Sequence, residues 1–262
     1  MGIGFTERVW LAVVGFALFQ LLVTPTFVHG DEIILVADEW CPYNCDPGGN
    51  APGYIVEIAK LAFEREGHQV SYKVVPWARA IEGVRNGIYD GIIGAGKDEV
   101  PDFIFPDNEV GRASHRFFVT KESTWNFTGL DALNNVKLGV IKNYSYGTLF
   151  NDYIQVNIDN PKRIFIIAGD DPLTRSIRML LSGRVDVIVE DQNVMAYHFK
   201  SRGRNNPLIA GKIVSHEDIY IAFSPGSNKS IRYTSILDNA MLQFKTSGVL
   251  KDLLFKYGIK EW

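Results

Sequence analysis

The chain has 262 residues, of which 46% are hydrophobic and 22% are charged, and its formal net charge is −3. These values are typical of a soluble globular protein with one large domain or two small ones. A weakly negative balance excludes the basic surface that nucleic-acid binding requires, and the chain has no polybasic segment that would attach it to a membrane surface.

The N-terminus has the three-part pattern of a secretory signal peptide. Arg8 precedes an apolar run from Val9 to Val23, and small or polar residues follow up to Gly30. The run is short for a membrane span, which needs ~20 residues, although an uncleaved anchor is the alternative. We therefore predict that residues 1–30 are removed and that residues 31–262 are exported to the periplasm.

Strands and helices are predicted to alternate along the exported part, which favours an α/β fold with mixed, mostly parallel sheets. Apolar runs predict strands at 33–37, 70–75, 88–93, 117–120, 137–141, 185–189 and 219–223. Periodic apolar positions predict helices at 55–63, 131–135 and 236–254, with further helices opening at Pro76, near Asn143, at Pro172 and after Asp191.

One helix-to-strand segment occurs twice, 96 positions apart. Residues 76–93 and 172–189 share six identities in one ungapped register, including Gly87 with Gly183 and Asp90 with Asp186. Chance is the alternative, since such units share composition. A repeated unit predicts two α/β lobes of similar build, and the cleft between two lobes is a common place for a small ligand.

The two cysteines of the chain, Cys41 and Cys45, lie in a Pro- and Asn-containing loop after the first strand. In an exported protein this spacing predicts a local disulfide that shapes the loop. A redox pair would have two intervening residues rather than three, and a metal site would need more ligands. The scattered histidines give no metal-ligand spacing, so neither a metal nor a cofactor is predicted.

Seven motifs follow one another along the chain: the strand and aromatic loop 35–43, then 53–58, 86–93, 103–107, 137–141, 182–191 and the tail 248–257. In this order and spacing they resemble the periplasmic solute-binding proteins of the polar amino-acid type, which serve ABC importers. The resemblance implies two lobes, 31–119 with 218–262 and 120–217, joined by a two-strand hinge with the ligand cleft between them. The hinge strands would be Phe117–Lys121 and His216–Phe223.

The resemblance also implies ligand-binding residues. Trp40 and Tyr43 lie in the loop where family members enclose the apolar part of the ligand, and packing around the disulfide is their alternative role. Ser145, at an expected helix start, would donate to a carboxylate, with Tyr144 beside it; a helix cap is its alternative. Asp191 would bind a ligand ammonium or, alternatively, cap the following helix.

A family motif that binds the ligand carboxylate is missing. Family members carry Thr-x-x-Arg after the strand that corresponds to residues 89–93, whereas this chain reads Gly94-Ala-Gly96-Lys97 and has no arginine there. Lysine cannot reproduce a bidentate arginine contact. Gly96 and Lys97 are still predicted to contact the ligand, and Arg79, Lys97 or Arg112 could supply positive charge, although Arg79 and Arg112 could equally be surface residues.

The sequence thus predicts a monomeric, non-catalytic protein that captures a small polar solute, either an amino acid or a related amine or carboxylate. Its expected partner is the membrane permease of an ABC importer. Two alternatives stay open. An enzyme of the dehydratase kind can share this fold, and a sensing domain of a receptor can too, although such a domain normally has a membrane helix after it and this sequence ends at Trp262.

Overall fold

Helices and strands alternate along residues 30–262, the part of the chain that this computed structural model describes. The strands are β1 (Glu32–Ala37), β2 (Gln69–Val74), β3 (Gly91–Ala95), β4 (Gly111–Thr120), β5 (Leu138–Ile141), β6 (Ile164–Ile167), β7 (Val187–Asp191) and β8 (Leu208–Phe223). The helices are α1 (Tyr54–Arg65), α2 (Trp77–Arg85), α3 (Thr148–Asn157), α4 (Pro172–Leu181), α5 (Gln192–Lys200), α6 (Ser230–Ser247) and α7 (Val249–Tyr257), with a 3₁₀ helix at Leu130–Asn135. The predicted signal peptide lies, except for Gly30, outside the described residues.

The strands follow the order β2-β1-β3-β8-β4-β7-β5-β6. Pairing is parallel within β2-β1-β3 and within β7-β5-β6, and it is antiparallel where β8 and β4 join these two groups. Parallel strands need helical crossovers, and the helices between them provide these. The predicted α/β class and two-lobed architecture are confirmed.

The two groups of parallel strands have the same topology. The path β1-α1-β2-α2-β3 places its first strand between the second and third, and β5-α3-β6-α4-β7 does the same. The repeated segment of the sequence therefore corresponds to the last helix and strand of each unit. Two similar α/β units are what the repeat predicted.

The repeat copies end their helices in the same turn. Gly87 has a φ of 71° and Gly183 a φ of 69°, in the left-handed region that glycine occupies without strain. In each copy the glycine and the next residue donate to carbonyls of the last helical turn. Next, the carboxylate of Asp90 accepts from the Ile34 N–H, and that of Asp186 accepts from the Lys137 N–H, both at 2.7 Å.

This turn explains why the third strand of each unit starts later than predicted. Residues 88 and 184 follow the left-handed glycine and belong to the turn, so that Ile88 is 65% exposed. The strands begin at Gly91 and Val187 instead. Strand β6 was not predicted, although its four residues are all apolar, and β8 begins at Leu208 rather than at residue 219.

Three clusters of buried apolar residues form the core. One combines residues 33–113 with residues 194 and 219–257, and the other two draw on residues 117–208. Strands β4 and β8 run from one group to the other. Strand β4 passes between Ala113, in the first cluster, and Phe117, in the second, which is earlier than the predicted crossing at Phe117–Lys121. The apolar side chains after residue 116 pack in the core of the second unit. Because they are apolar, the sequence predicted a strand there.

None of the helices in residues 30–262 combines the length and apolar character that crossing a membrane requires.

Candidate functional site

A cavity lies where β4 and β8 pass between the two units. The space between its walls is about 430 Å³, which counts the part that is open to solvent. Its walls come from both units and from the crossing strands. The lining residues are Asp38, Trp40, Asn44, Trp77, Ile93, Gly94, Gly96, Glu99, Ala113, His115, Tyr144, Ser145, Glu217 and Ile219.

The disulfide loop after β1 supplies one wall. Cys41 and Cys45 are bonded to each other, which confirms the predicted pair. The Trp40 N–H donates to the Asn44 carbonyl at 2.8 Å, and this closes the loop. Gly53 packs so closely against this loop that a Cβ there would clash with the backbone carbonyl oxygen of Tyr43. The loop is therefore held rigidly enough to fix Trp40 at the cavity.

The carboxyl group of Asp38 is buried at the end of β1. Only 6% of the residue is exposed, and the Tyr144 hydroxyl from the other unit donates to its Oδ2. Burial disfavours the charged form and raises the pKa of Asp38 to about 6. Asn44 lies beside it, and its Nδ2 donates to the Asp38 carbonyl at 2.6 Å while its buried Oδ1 has no partner.

Two more carboxyl groups face the same cavity. Glu99 Oε1 accepts from the Trp77 indole N–H at 2.8 Å, and burial raises its pKa to about 8, with a smaller contribution from nearby Glu217. Glu217, on β8, accepts from the Ser145 hydroxyl, and burial raises its pKa as well. Three elements distant in sequence thus bring three carboxyl groups to one small space.

His115 is the one histidine among the residues that line the cavity. It is 3% exposed, and its Nδ1 lies 3.1 Å from the Ser215 hydroxyl. Burial lowers the pKa of His115 to about 4, so the imidazole is neutral at pH 7. It therefore adds no positive charge to the cavity.

Side-chain hydrogen bonds hold the two units together across the cavity. The Trp40 indole N–H donates to Glu190 Oε1 at 3.1 Å, and that of Trp77 donates to the Asn143 carbonyl at 3.0 Å as well as to Glu99. With the bond from Tyr144 to Asp38, these contacts form a closed arrangement. These bonds join the two units around a cavity that is partly open to solvent.

The sequence profile of the bacterial extracellular solute-binding proteins, family 3, matches residues 33–260, which is nearly the whole described chain. The chain belongs to this family. Its two-unit build with a cavity at the crossing strands agrees with that membership.

Three proteins illustrate the similarity. The chain is 22% identical over 209 residues to the L-cystine-binding protein TcyA of Bacillus subtilis (strain 168), covering 78% of this chain and 72% of that one. A structure from work on glutathione import through GshT and the cystine ABC importer TcyBC of Streptococcus mutans superposes with a TM-score of 0.72 at 16% identity, covering 87% and 95%. AncCDT-1, an ancestral amino acid-binding protein and precursor of cyclohexadienyl dehydratase, has a TM-score of 0.66 at 20% identity, covering 87% and 95%.

Four of the predicted ligand-binding residues of this solute-binding protein line the cavity: Trp40, Gly96, Tyr144 and Ser145. Ser145 lies there for a reason other than the expected one. Helix α3 starts after Gly147, without a side-chain cap, and the Ser145 hydroxyl instead donates to Glu217 and accepts from Asn151 Nδ2 at 2.8 Å.

Tyr43 and Asp191 are buried behind the cavity wall. Asp191 is fully buried, and its carboxylate accepts from the N–H groups of Ser114, Asn193 and Val194 at 2.7–3.0 Å and from the Tyr43 hydroxyl at 3.1 Å. Burial raises its pKa to about 6 against the effect of these bonds. This geometry matches the alternative role of Asp191 as a helix cap, because its oxygens are already used.

The predicted cations lie outside the cavity. Arg79 is exposed on α2, and Lys97 is exposed with its ammonium 4.6 Å from the ring centre of Tyr220. Arg112 pairs with Asp218 at 2.8 Å on the surface. Among the described residues, no lysine or arginine therefore replaces the missing arginine of the family motif at the lining.

Sequence reasoning did not single out Asp38, Asn44, Trp77, Glu99, His115 or Glu217. The positions of two of these acids could have indicated a site, since Asp38 directly follows β1 and Glu99 lies in the short loop after β3. Their sequence neighbours Glu39 and Asp98 are acids as well, but both are exposed. Glu217 could also have indicated the site, because it is an acid within β8, one of the two strands that cross between the units.

Proposed function

We propose that this protein captures a small amino-acid-like or amine solute in the cavity between lobe 1, residues 31–119 with 218–262, and lobe 2, residues 120–217. The observation that carries the proposal is the cavity itself, lined by polar and aromatic side chains of both units and of the strands between them. Aromatic walls with a few converging polar groups are typical of small-ligand sites. The protein would then deliver the solute to the permease of an ABC importer.

We further propose that the protein works as a monomer in the periplasm, released from a cleaved signal peptide. Membership in a family of extracellular solute-binding proteins supports export. Mass spectrometry of protein secreted from its natural leader would test the cleavage after residue 30. An N-terminus that still carries residues 1–29 would contradict it.

A thermal-shift screen of amino acids, amines, carboxylates and small peptides tests the binding function. A ligand at a hundred times its dissociation constant stabilises the native state by ~2.7 kcal/mol, which gives a clear shift. Trp40→Ala should weaken the binding of any hit at least tenfold, since Trp40 lines the cavity. Phe255→Ala is the matched control, because this side chain is 85% exposed and lies away from the cavity. Equal loss in both variants would contradict the assignment of the site.

Small-angle scattering tests the movement of the lobes. The bonds from Trp40 to Glu190 and from Tyr144 to Asp38 join the two units, so ligand-free protein in which these bonds are open should sample a wider arrangement. Saturating ligand should reduce the radius of gyration. A radius that stays unchanged would contradict closure about β4 and β8.

One observation favours an enzyme as a second candidate. Glu99, with a pKa of about 8, and Asp38, with a pKa of about 6, would form an acid and base pair in one cavity. Mass spectrometry of a bound hit after prolonged incubation separates the two functions. Recovery of unchanged ligand supports a binding protein, whereas conversion to a product supports an enzyme.

A further inference from the structure

We propose that the cavity selects an organic cation, with an ammonium or guanidinium group and no carboxylate, over the corresponding amino acid. This inference rests on the proposed binding function and names the class of its ligand.

Three carboxyl groups line the cavity. Asp38 comes from the end of β1, Glu99 from the loop after β3, and Glu217 from β8. Within the described residues, the lining contains no lysine or arginine, and its histidine is buried and neutral. Carboxyl groups in a buried space either stay protonated or need a cationic partner. A ligand ammonium or guanidinium group supplies that partner.

The polar donors of the walls are already engaged with these acids. The hydroxyl groups of Tyr144 and Ser145 donate to Asp38 and Glu217, and the Trp77 indole N–H donates to Glu99. The Gly96 N–H also points to Glu99, at 3.4 Å. A ligand carboxylate would have to displace an internal acid from each donor, and it would meet like charge while doing so.

An unpartnered acceptor provides independent evidence of a missing donor. Asn44 is 1% exposed, lines the cavity, and its Oδ1 has no hydrogen-bond partner. A buried acceptor without a partner is costly, so this oxygen indicates that a donor belongs in the cavity. Ammonium and guanidinium groups carry several donors and no acceptor.

The aromatic walls fit the same class of ligand. Trp40, Trp77 and Tyr144 surround the space, with the rings of Trp77 and Tyr144 at a centroid distance of 6.1 Å. Cations are attracted to the faces of such rings, most strongly to tryptophan. The acids and the rings therefore favour positive charge together.

Calorimetry with matched pairs tests the inference. The probes are agmatine against arginine and cadaverine against lysine, which differ by one carboxylate. Titrations at pH 8 keep Asp38 ionised, since its pKa is about 6. At least one amine should bind ten times or more tightly than its amino acid. An amino acid that binds as tightly as its amine overturns the inference and leaves the proposed function standing.

Two variants test whether the amine binds in the cavity. Asp38→Asn and Glu217→Gln each keep the shape of the side chain and remove its charge, and each should weaken amine binding at least tenfold. Asp46→Asn, an exposed acid of the same loop as Asp38, is the matched control and should bind as the parent does. Circular dichroism verifies folding, and Glu217→Gln decides the question if Asp38→Asn does not fold. Unchanged binding in a folded cavity variant overturns the inference.

If none of the four probes binds, the inference is also overturned. The wider thermal-shift screen then decides the proposed function separately. A neutral or anionic hit would preserve a binding protein with another ligand class, and no hit from any class would contradict both.

Discussion

The helix-to-strand segments of residues 76–95 and 172–191 share their turn and differ at their ends. Gly87 and Gly183 have left-handed φ angles within 2° of each other, and Asp90 and Asp186 accept equivalent backbone N–H groups at the same distance. The copies thus keep the side chains that shape the backbone.

The residues at the carboxyl ends of the two strands have different chemistry. The first copy ends in Gly94 and Ala95, and the corresponding positions of the second are Glu190 and Asp191. Gly94 leaves space in the cavity, since a Cβ there would lie 3.4 Å from Asn44 Oδ1, whereas Glu190 extends to Trp40. One copy therefore opens the cavity and the other supports its wall. The scaffold and the site can vary separately because they use different positions of one repeat.

The largest loss of stability is expected at Asp191, at the carboxyl end of the second strand. Asp191→Ala would leave the buried N–H groups of Ser114 and Val194 without an acceptor, at a cost of about 3 kcal/mol in the free energy of unfolding. Urea denaturation measures it. Asp171→Ala removes an exposed cap from α4 and should cost about 1 kcal/mol or less. Equal costs would show that burial does not distinguish Asp191 from an ordinary cap.

The pH dependence of stability tests Glu190, which has no acidic counterpart in the first copy. Burial raises its pKa from 4.5 to about 8, so the native state holds a proton that the unfolded chain releases. Stability should therefore fall as pH rises from 6.5 to 8, by up to about 1.4 kcal/mol per pH unit from this group. The opposing contribution of His115, whose pKa is lowered in the native state, fades as pH rises above 6.5, the ordinary pKa of histidine in the unfolded chain.

Glu190→Gln should reduce this slope, because the amide cannot titrate, while Glu99, whose pKa is also raised to about 8, keeps its own contribution. Thermal melts of the variant and the parent between pH 6.5 and 8 compare the slopes. Glu122→Gln, at an exposed acid, is the control and should melt as the parent does at each pH. A slope unaltered in Glu190→Gln would mean that this carboxyl group is ionised in the native state.

The shared aspartates should differ modestly. Asp90→Ala removes a bond to Ile34 from a half-buried carboxylate, at about 2 kcal/mol, and Asp186→Ala removes the equivalent bond from an exposed one, at about 1 kcal/mol. Water replaces the second bond more easily. Chemical denaturation of both variants gives the order, and a larger loss in Asp186→Ala would contradict the equivalence of the two turns.

The smallest effect is expected at the shared glycines. Gly87→Ala and Gly183→Ala should each cost about 1 kcal/mol, because an alanine must adopt a left-handed conformation. No atom lies within 4 Å of an added Cβ at either position, so the cost is conformational and nearly equal. Unfolding free energies that differ by more than about 1 kcal/mol would show that the two turns have diverged.

Local sequence predicted the elements that local chemistry defines. Strand β1, helix α1, the disulfide and the terminal helices followed from apolar periodicity and from cysteine spacing. The first half of β8 did not, because a partly exposed strand has no strong apolar pattern. Of the residues predicted to bind ligand, Trp40 lies in the cavity lining, whereas Asp191 is buried and caps helix α5.

The sequence by itself determined the α/β alternation, the repeat, the disulfide and the family, because each depends on residues near one another or on their order. Only the tertiary structure decided which acids face the cavity. Asp38 is buried and its neighbour Glu39 is exposed. Asp38 accepts from Tyr144, 106 positions away, and Trp40 donates to Glu190 over 150 positions. Such partners are chosen by the packing of two units against each other, and no local pattern carries that information.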